Sequence, residues 1–71
     1  MKELTREDWM KNPTPRVMWV WRDDETRKEK RKVIYFLEYD VSCPVIALDD
    51  DNYDNIGISM YEHCAEITKT R

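Results

Sequence analysis

Seventy-one residues make one domain and leave no room for a second. A chain this short buries only about 60% of the surface its unfolded form exposes, so its core needs a supplement from disulfides, a metal or oligomerisation. Twelve Lys and Arg stand against 15 Asp and Glu, a net charge of −3, and no stretch approaches the ~18 apolar residues of a membrane span. Neither a membrane nor a long nucleic acid is therefore an expected partner. The charge is also polarised: residues 1–35 carry ten basic and seven acidic groups, residues 36–71 two and eight.

The first element in the chain is a short helix. Thr5-x-x-Asp8 is a shortened capping box, Leu4 and Trp9 are placed as a hydrophobic staple, and Asn12-Pro13-Thr14-Pro15 stops the helix, which predicts a span of residues 6–11. The β-branched and aromatic run Val17-Met18-Trp19-Val20-Trp21 predicts a strand near 16–22, and Val33-Ile34-Tyr35-Phe36-Leu37 a second near 30–38. The polar stretch between them reads as a mobile charged hairpin tip, since the Asn-Gly signal of a two-residue turn is absent. Pro44 opens a third strand near 44–48. The acidic segment 49–55 is a loop, Ile56, Ile58 and Met60 mark the apolar side of a fourth strand near 56–61, Glu62-His63-Cys64 reads as a turn, and a last strand falls near 65–67. The fold class is thus mainly β: a five-stranded antiparallel SH3-like barrel, or a strongly twisted sheet, with one short N-terminal helix.

A half-buried strand alternates apolar and polar residues. The first three strands do not. Val17, Trp19 and Trp21 oppose Met18 and Val20; Val33, Tyr35 and Leu37 oppose Ile34 and Phe36; Val45 and Ala47 oppose Ile46 and Leu48. Both faces of the sheet are apolar, and one helix cannot cover the second. A second copy, a ligand or a partner is expected there, with a homo-oligomer the leading expectation.

The chemical groups are sparse. Cys43 and Cys64 have no secretory signal ahead of them, so the expectation is a reducing cytoplasm with both thiols free. His63 with the two cysteines offers three soft ligands but no C-x-x-C pair and no second histidine, so no metal is expected. His63 and Cys64 are neighbours on the chain and would point to opposite faces of a strand, which is poor geometry for a Cys–His pair. No nucleophile elbow or phosphate-binding glycine loop occurs; the expectation is no catalytic residue, no cofactor and no enzyme. Asp50-x-Asn52-x-Asp54 matches the first three EF-hand ligand positions, but Asn55 replaces the turn glycine and Tyr61 the bidentate glutamate, so it reads as a solvated acidic loop. The basic run Arg27 to Lys32, with Arg16 and Arg22, borders Trp19 and Trp21, a combination of cations and stacking surfaces that suits a phosphate joined to a base.

Three segments, Pro15-Arg16-Val17-Met18-Trp19-Val20-Trp21-x-Asp23-Asp24-Glu25, Lys30-Arg31-Lys32-Val33-Ile34-Tyr35 and Tyr61-x-His63-Cys64-Ala65-Glu66-Ile67, together resemble the small accessory proteins of bacteriophage genomes, over residues 13–67. The resemblance implies the host-cell cytoplasm, no essential chemistry, and antagonism of host defence, either by sequestering a small nucleotide signal within an oligomer or by occluding a host protein. No motif carries across residue by residue, so the candidate ligand-binding residues, Arg16, Trp19, Trp21, Arg22, Tyr53 and Tyr61, rest on their chemistry. The expected function is sequestration of a small anionic, nucleotide-like ligand; the alternative is a protein-interaction module that blocks a host defence protein.

Overall fold

The computed structural model describes residues 2–38, 41–48 and 57–68. Among these residues are one α-helix, α1 (Arg6–Lys11), and five strands, β1 (Arg16–Trp21), β2 (Glu29–Phe36), β3 (Val45–Leu48), β4 (Ile58–Tyr61) and β5 (His63–Ala65). The helix has the predicted bounds because its cap closes as predicted: the Asp8 N–H donates to Thr5 Oγ1 at 3.2 Å and the Thr5 N–H to the Asp8 carboxylate at 3.0 Å. An aspartate side chain is long enough to complete the box. Leu4 packs against the core cluster that contains Trp9.

All strands are antiparallel neighbours in one sheet of order β4-β3-β2-β1-β5. The first and last strands of that order are joined by Glu62 alone. A flat five-stranded sheet would hold its edges about 19 Å apart, whereas the two residue steps from Tyr61 to His63 span at most about 7 Å. The sheet therefore curls until its edges converge at Glu62. Its concave side holds the core: Met18 and Val20 from β1, Val33 and Phe36 from β2, Val45 and Ala47 from β3, Tyr61 from β4 and Cys64 from β5, with Trp9 of α1. The Arg16 guanidinium lies 5.1 Å from the Trp9 ring centroid, so α1 closes the end of the curl where β1 begins.

Several local expectations change. In β2, Val33 and Phe36 both face the core, although strict alternation sets them on opposite faces. A bulge between Val33 and Tyr35 inserts Ile34 opposite a single step of β3, with Val33 paired to Ala47 and Tyr35 to Ile46; the extra residue resets the phase of the strand. In β4 the apolar side is inverted. Tyr61 is buried, while Ile58 and Met60 face outward and are 63% and 42% exposed. The register decides this: Tyr61 pairs with the core residue Val45, and Ile58 and Met60 pair with the outward Leu48 and Ile46. The expected turn at 62–64 shrinks to Glu62, and the last strand is His63–Ala65 rather than 65–67, because His63, Cys64 and Ala65 pair with Trp21, Val20 and Trp19. Its outer side is covered by the N-terminal segment, through a Glu3–Ala65 bridge and a Leu4 N–H to Cys64 C=O bond of 2.8 Å.

The hairpin tip, expected as a mobile loop, is a 3₁₀ turn over Glu25–Arg27. The Asp24 carboxylate caps it, accepting from the Thr26 N–H at 3.0 Å and the Thr26 hydroxyl at 2.6 Å. The turn returns the chain to β2 at Lys28, and that placement builds the site.

Candidate functional site

The outer face of β1 carries Val17, Trp19 and Trp21. Trp19 pairs with Lys30 of β2 on one side and Ala65 of β5 on the other. The small alanine leaves room for the indole, and the lysine sends its stem across it. Lys28, delivered by the 3₁₀ turn, reaches the same ring. The Nζ atoms of Lys28 and Lys30 stand 5.2 and 5.1 Å from the Trp19 centroid. Lys32, two residues along β2 and on the same face as Lys30, pairs with Val17. Among the described residues no carboxylate lies within ion-pairing distance of Lys28, Lys30 or Lys32.

The charge arrangement is poised. Each ammonium gains about 0.5–1 kcal/mol from an exposed indole face. With both near one ring, they stand within about 10 Å of each other, where unscreened repulsion in water is at least about 0.4 kcal/mol. The two terms are comparable, so the pair is held by the ring and opposed by its own charge. An anion held by both ammonium groups removes the opposition.

Of the six residues singled out from sequence, the five that are described fall in three places. Trp19 belongs to this basic face. Arg16 is fully engaged elsewhere: its Nε and Nη2 donate to the Glu66 carboxylate at 3.0 and 2.9 Å, and its Nη1 donates to the carbonyls of Asn12 and Thr14, both at 2.8 Å. Trp21 is buried and stacks on His63 with ring centroids 5.5 Å apart. Arg22 lies over the ring of Tyr61 at 4.8 Å. Tyr53 lies outside the described residues.

Trp21, Arg22 and Tyr61 do meet, at the end of the curl opposite α1, where with Val20, Asp23, Asp24, Arg27 and Glu29 they line a cavity of about 380 Å³. Two arginines there face three carboxylates. Asp24 is held below the usual carboxylate range by its bonds from Thr26 and stays ionised, and Glu29 pairs with Arg31. This cavity has no excess of positive charge for an anion, and the Trp19 face has one. Lys28 and Lys30 were visible in the sequence only as members of a basic run; the hairpin register and the capped tip set them on one indole.

The reactive groups are dispersed. Cys43 and Cys64 are both free. Cys64 is buried on the core side of β5, and burial pushes its thiol up to about 12, helped by the carboxylates of Glu3 and Glu66. His63, on the opposite side of the strand, sits with Nδ1 2.7 Å from Glu3 and Nε2 3.6 Å from Glu62. Among the described residues no three His, Cys, Asp or Glu side chains converge as a metal would require, and no helix is long and apolar enough to cross a membrane.

No protein-family model matches the chain, and no curated protein or solved structure matches it.

Proposed function

We propose that the chain is a non-catalytic binding protein for a small anionic ligand with a flat aromatic part, a nucleotide-like molecule, with Trp19 as the stacking surface and Lys28 and Lys30 as the charge clamp. The observation that carries this reading is that two ammonium groups share one partly exposed indole and have no carboxylate partner among the described residues. Stacking needs a π-face, and the lysines supply the phosphate contact. The position of Lys32 on the same face favours a ligand with more than one negative charge. The resemblance to phage accessory proteins supplies a setting, in which such a protein withholds a nucleotide signal from host defence.

Calorimetry at low salt tests the proposal, with adenosine triphosphate, adenosine and inorganic tripolyphosphate as separate probes. The nucleotide should bind more tightly than either fragment, because only it uses ring and ammonium groups together. Trp19→Ala should remove that advantage, and Lys28→Gln with Lys30→Gln should weaken binding at least about tenfold, on the order of 1.4 kcal/mol. Equal affinity for all three probes, or a double lysine variant that binds as the parent does, defeats the assignment.

A further inference from the structure

The sheet has two edges, and the chain treats them differently. The β5 edge is covered by its own N-terminal segment. The β4 edge has no ladder partner among the described residues beyond β3. Natural edge strands are protected by lysines, prolines, bulges or inward charges. Residues 57–61, Gly-Ile-Ser-Met-Tyr, contain no charge and no proline, and β4 pairs with β3 through four successive residues without a register shift.

The outer face beside this edge is apolar as well. Ile58 and Met60 lie beside Leu48 and Ile46, and Tyr35, paired with Ile46, is 48% exposed. None of these five side chains is charged, so the patch itself sets no like charges against each other when two copies meet.

We propose that β4 is a homodimer interface, in which two copies pair β4 to β4 antiparallel about a two-fold axis near Ser59. The occupant is fixed by self-complementarity. An antiparallel pair centred on Ser59 sets Ile58 of each copy opposite Met60 of the other, so the two-fold makes the same apolar cross-strand contact twice and closes the assembly at two subunits. The register is also specified on the face that matters, because a one-residue slip would turn one copy's Ile58 and Met60 away from the other's. The interface continues the sheet and its outer apolar face across both copies. It lies on a different surface from Trp19 and does not depend on the anion-binding proposal. A four-residue ladder with five apolar side chains is small by the standard of stable complexes, so the dissociation constant should be on the order of 10 µM.

Sedimentation equilibrium over a concentration series reads the outcome. The mass should rise from the 8.7 kDa of one chain towards twice that value. Ile58→Lys and, separately, Met60→Lys place a charge on an exposed outward position and should hold the chain monomeric with an unchanged circular dichroism spectrum. Val17→Lys, on the outer face of β1 and equally accessible, should associate as the parent does. A parent chain that stays at 8.7 kDa up to about 200 µM overturns the proposal, and so does a dimer that survives both lysine substitutions or is broken only by Val17→Lys.

Discussion

Arg16 grips Glu66 with two nitrogens, Nε at 3.0 Å and Nη2 at 2.9 Å, across 50 residues of sequence. The same guanidinium donates to two carbonyls of the segment between α1 and β1 and lies over Trp9, so one side chain ties the helix, its exit and the chain beyond β5 together. A planar fork with five donors does this and a lysine cannot. Arg16→Lys should therefore lower stability by about 1–2 kcal/mol, a fall of roughly 4–15 °C in thermal midpoint for a domain of this size. Affinity for the proposed nucleotide-like ligand should be unchanged, because Arg16 and Trp19 alternate onto opposite faces of β1. A variant with parental stability and lost affinity would show that the guanidinium leaves Glu66 for the ligand.

The Trp19 face should reveal itself to charged quenchers. Trp9 and Trp21 are buried and Trp19 is not, so collisional quenching reports Trp19. Iodide is concentrated near Lys28 and Lys30 and caesium is repelled, and both effects fade as the Debye length shrinks with salt. Iodide should quench severalfold more efficiently than caesium at low ionic strength, with the difference collapsing above ~0.5 M inert salt. Lys28→Gln with Lys30→Gln should equalise the two ions without added salt. Equal quenching in the parent protein would mean that the ammonium groups do not reside over the indole.

The sequence made some of these features legible and hid others for physical reasons. The helix was readable because capping is local: Thr5 and Asp8 are three residues apart, and the side chain of each bonds to the backbone N–H of the other. The two faces of β1 and β3 were readable because neither strand is bulged. The phase of β2 was not, since a bulge at Ile34 leaves no signature in an unbroken apolar run. The inversion of β4 was hidden by composition: Ile58 and Met60 look more like core residues than Ser59 and Tyr61, and only pairing with β3 decides which side faces in. The tip carried a readable signal in Asp24-x-Thr26, an Asx turn, but its consequence, Lys28 beside Lys30 on Trp19, depends on hairpin register. The candidate site is therefore a product of pairing, and of its residues only Trp19 is singled out by residue type.

The helix cap gives the fold an acid-sensitive part. Backbone and side-chain bonds from Thr5 hold the Asp8 carboxyl below its ordinary value of 3.8, and Lys2 and Lys11 add to the effect. Asp24 is lowered in the same way by Thr26. A carboxyl whose folded value is depressed contributes stability that is present above its unfolded value and lost as pH falls through the folded one. Thermal midpoints should hold down to about pH 4 and fall below it. Asp8→Asn keeps an acceptor but removes the titration, so its midpoint should be lower at pH 7 and decline less between pH 4 and pH 2. An unchanged acid slope in both Asp8→Asn and Asp24→Asn would assign the acid sensitivity to other carboxylates.

The two thiols should differ sharply in reactivity. Cys43 is half-buried, whereas Cys64 lies in the core with its thiol raised to about 12, so it carries almost no thiolate at neutral pH. The thiolate is the reactive species. One equivalent of a disulfide reagent should react readily at pH 8 and the second only on unfolding; Cys43→Ser should abolish the fast phase. The same shift works on stability from the alkaline side. A folded value raised above the ordinary 9.0 means stability is intact below about pH 9 and declines as pH climbs from there towards 12, because the unfolded chain releases the proton first. Cys64→Ala loses packing at all pH values, by about 1 kcal/mol for a small buried side chain, but should shed part of this alkaline decline. Parallel pH profiles for Cys64→Ala and the parent between pH 8 and 11 would show that the buried thiol does not couple to folding.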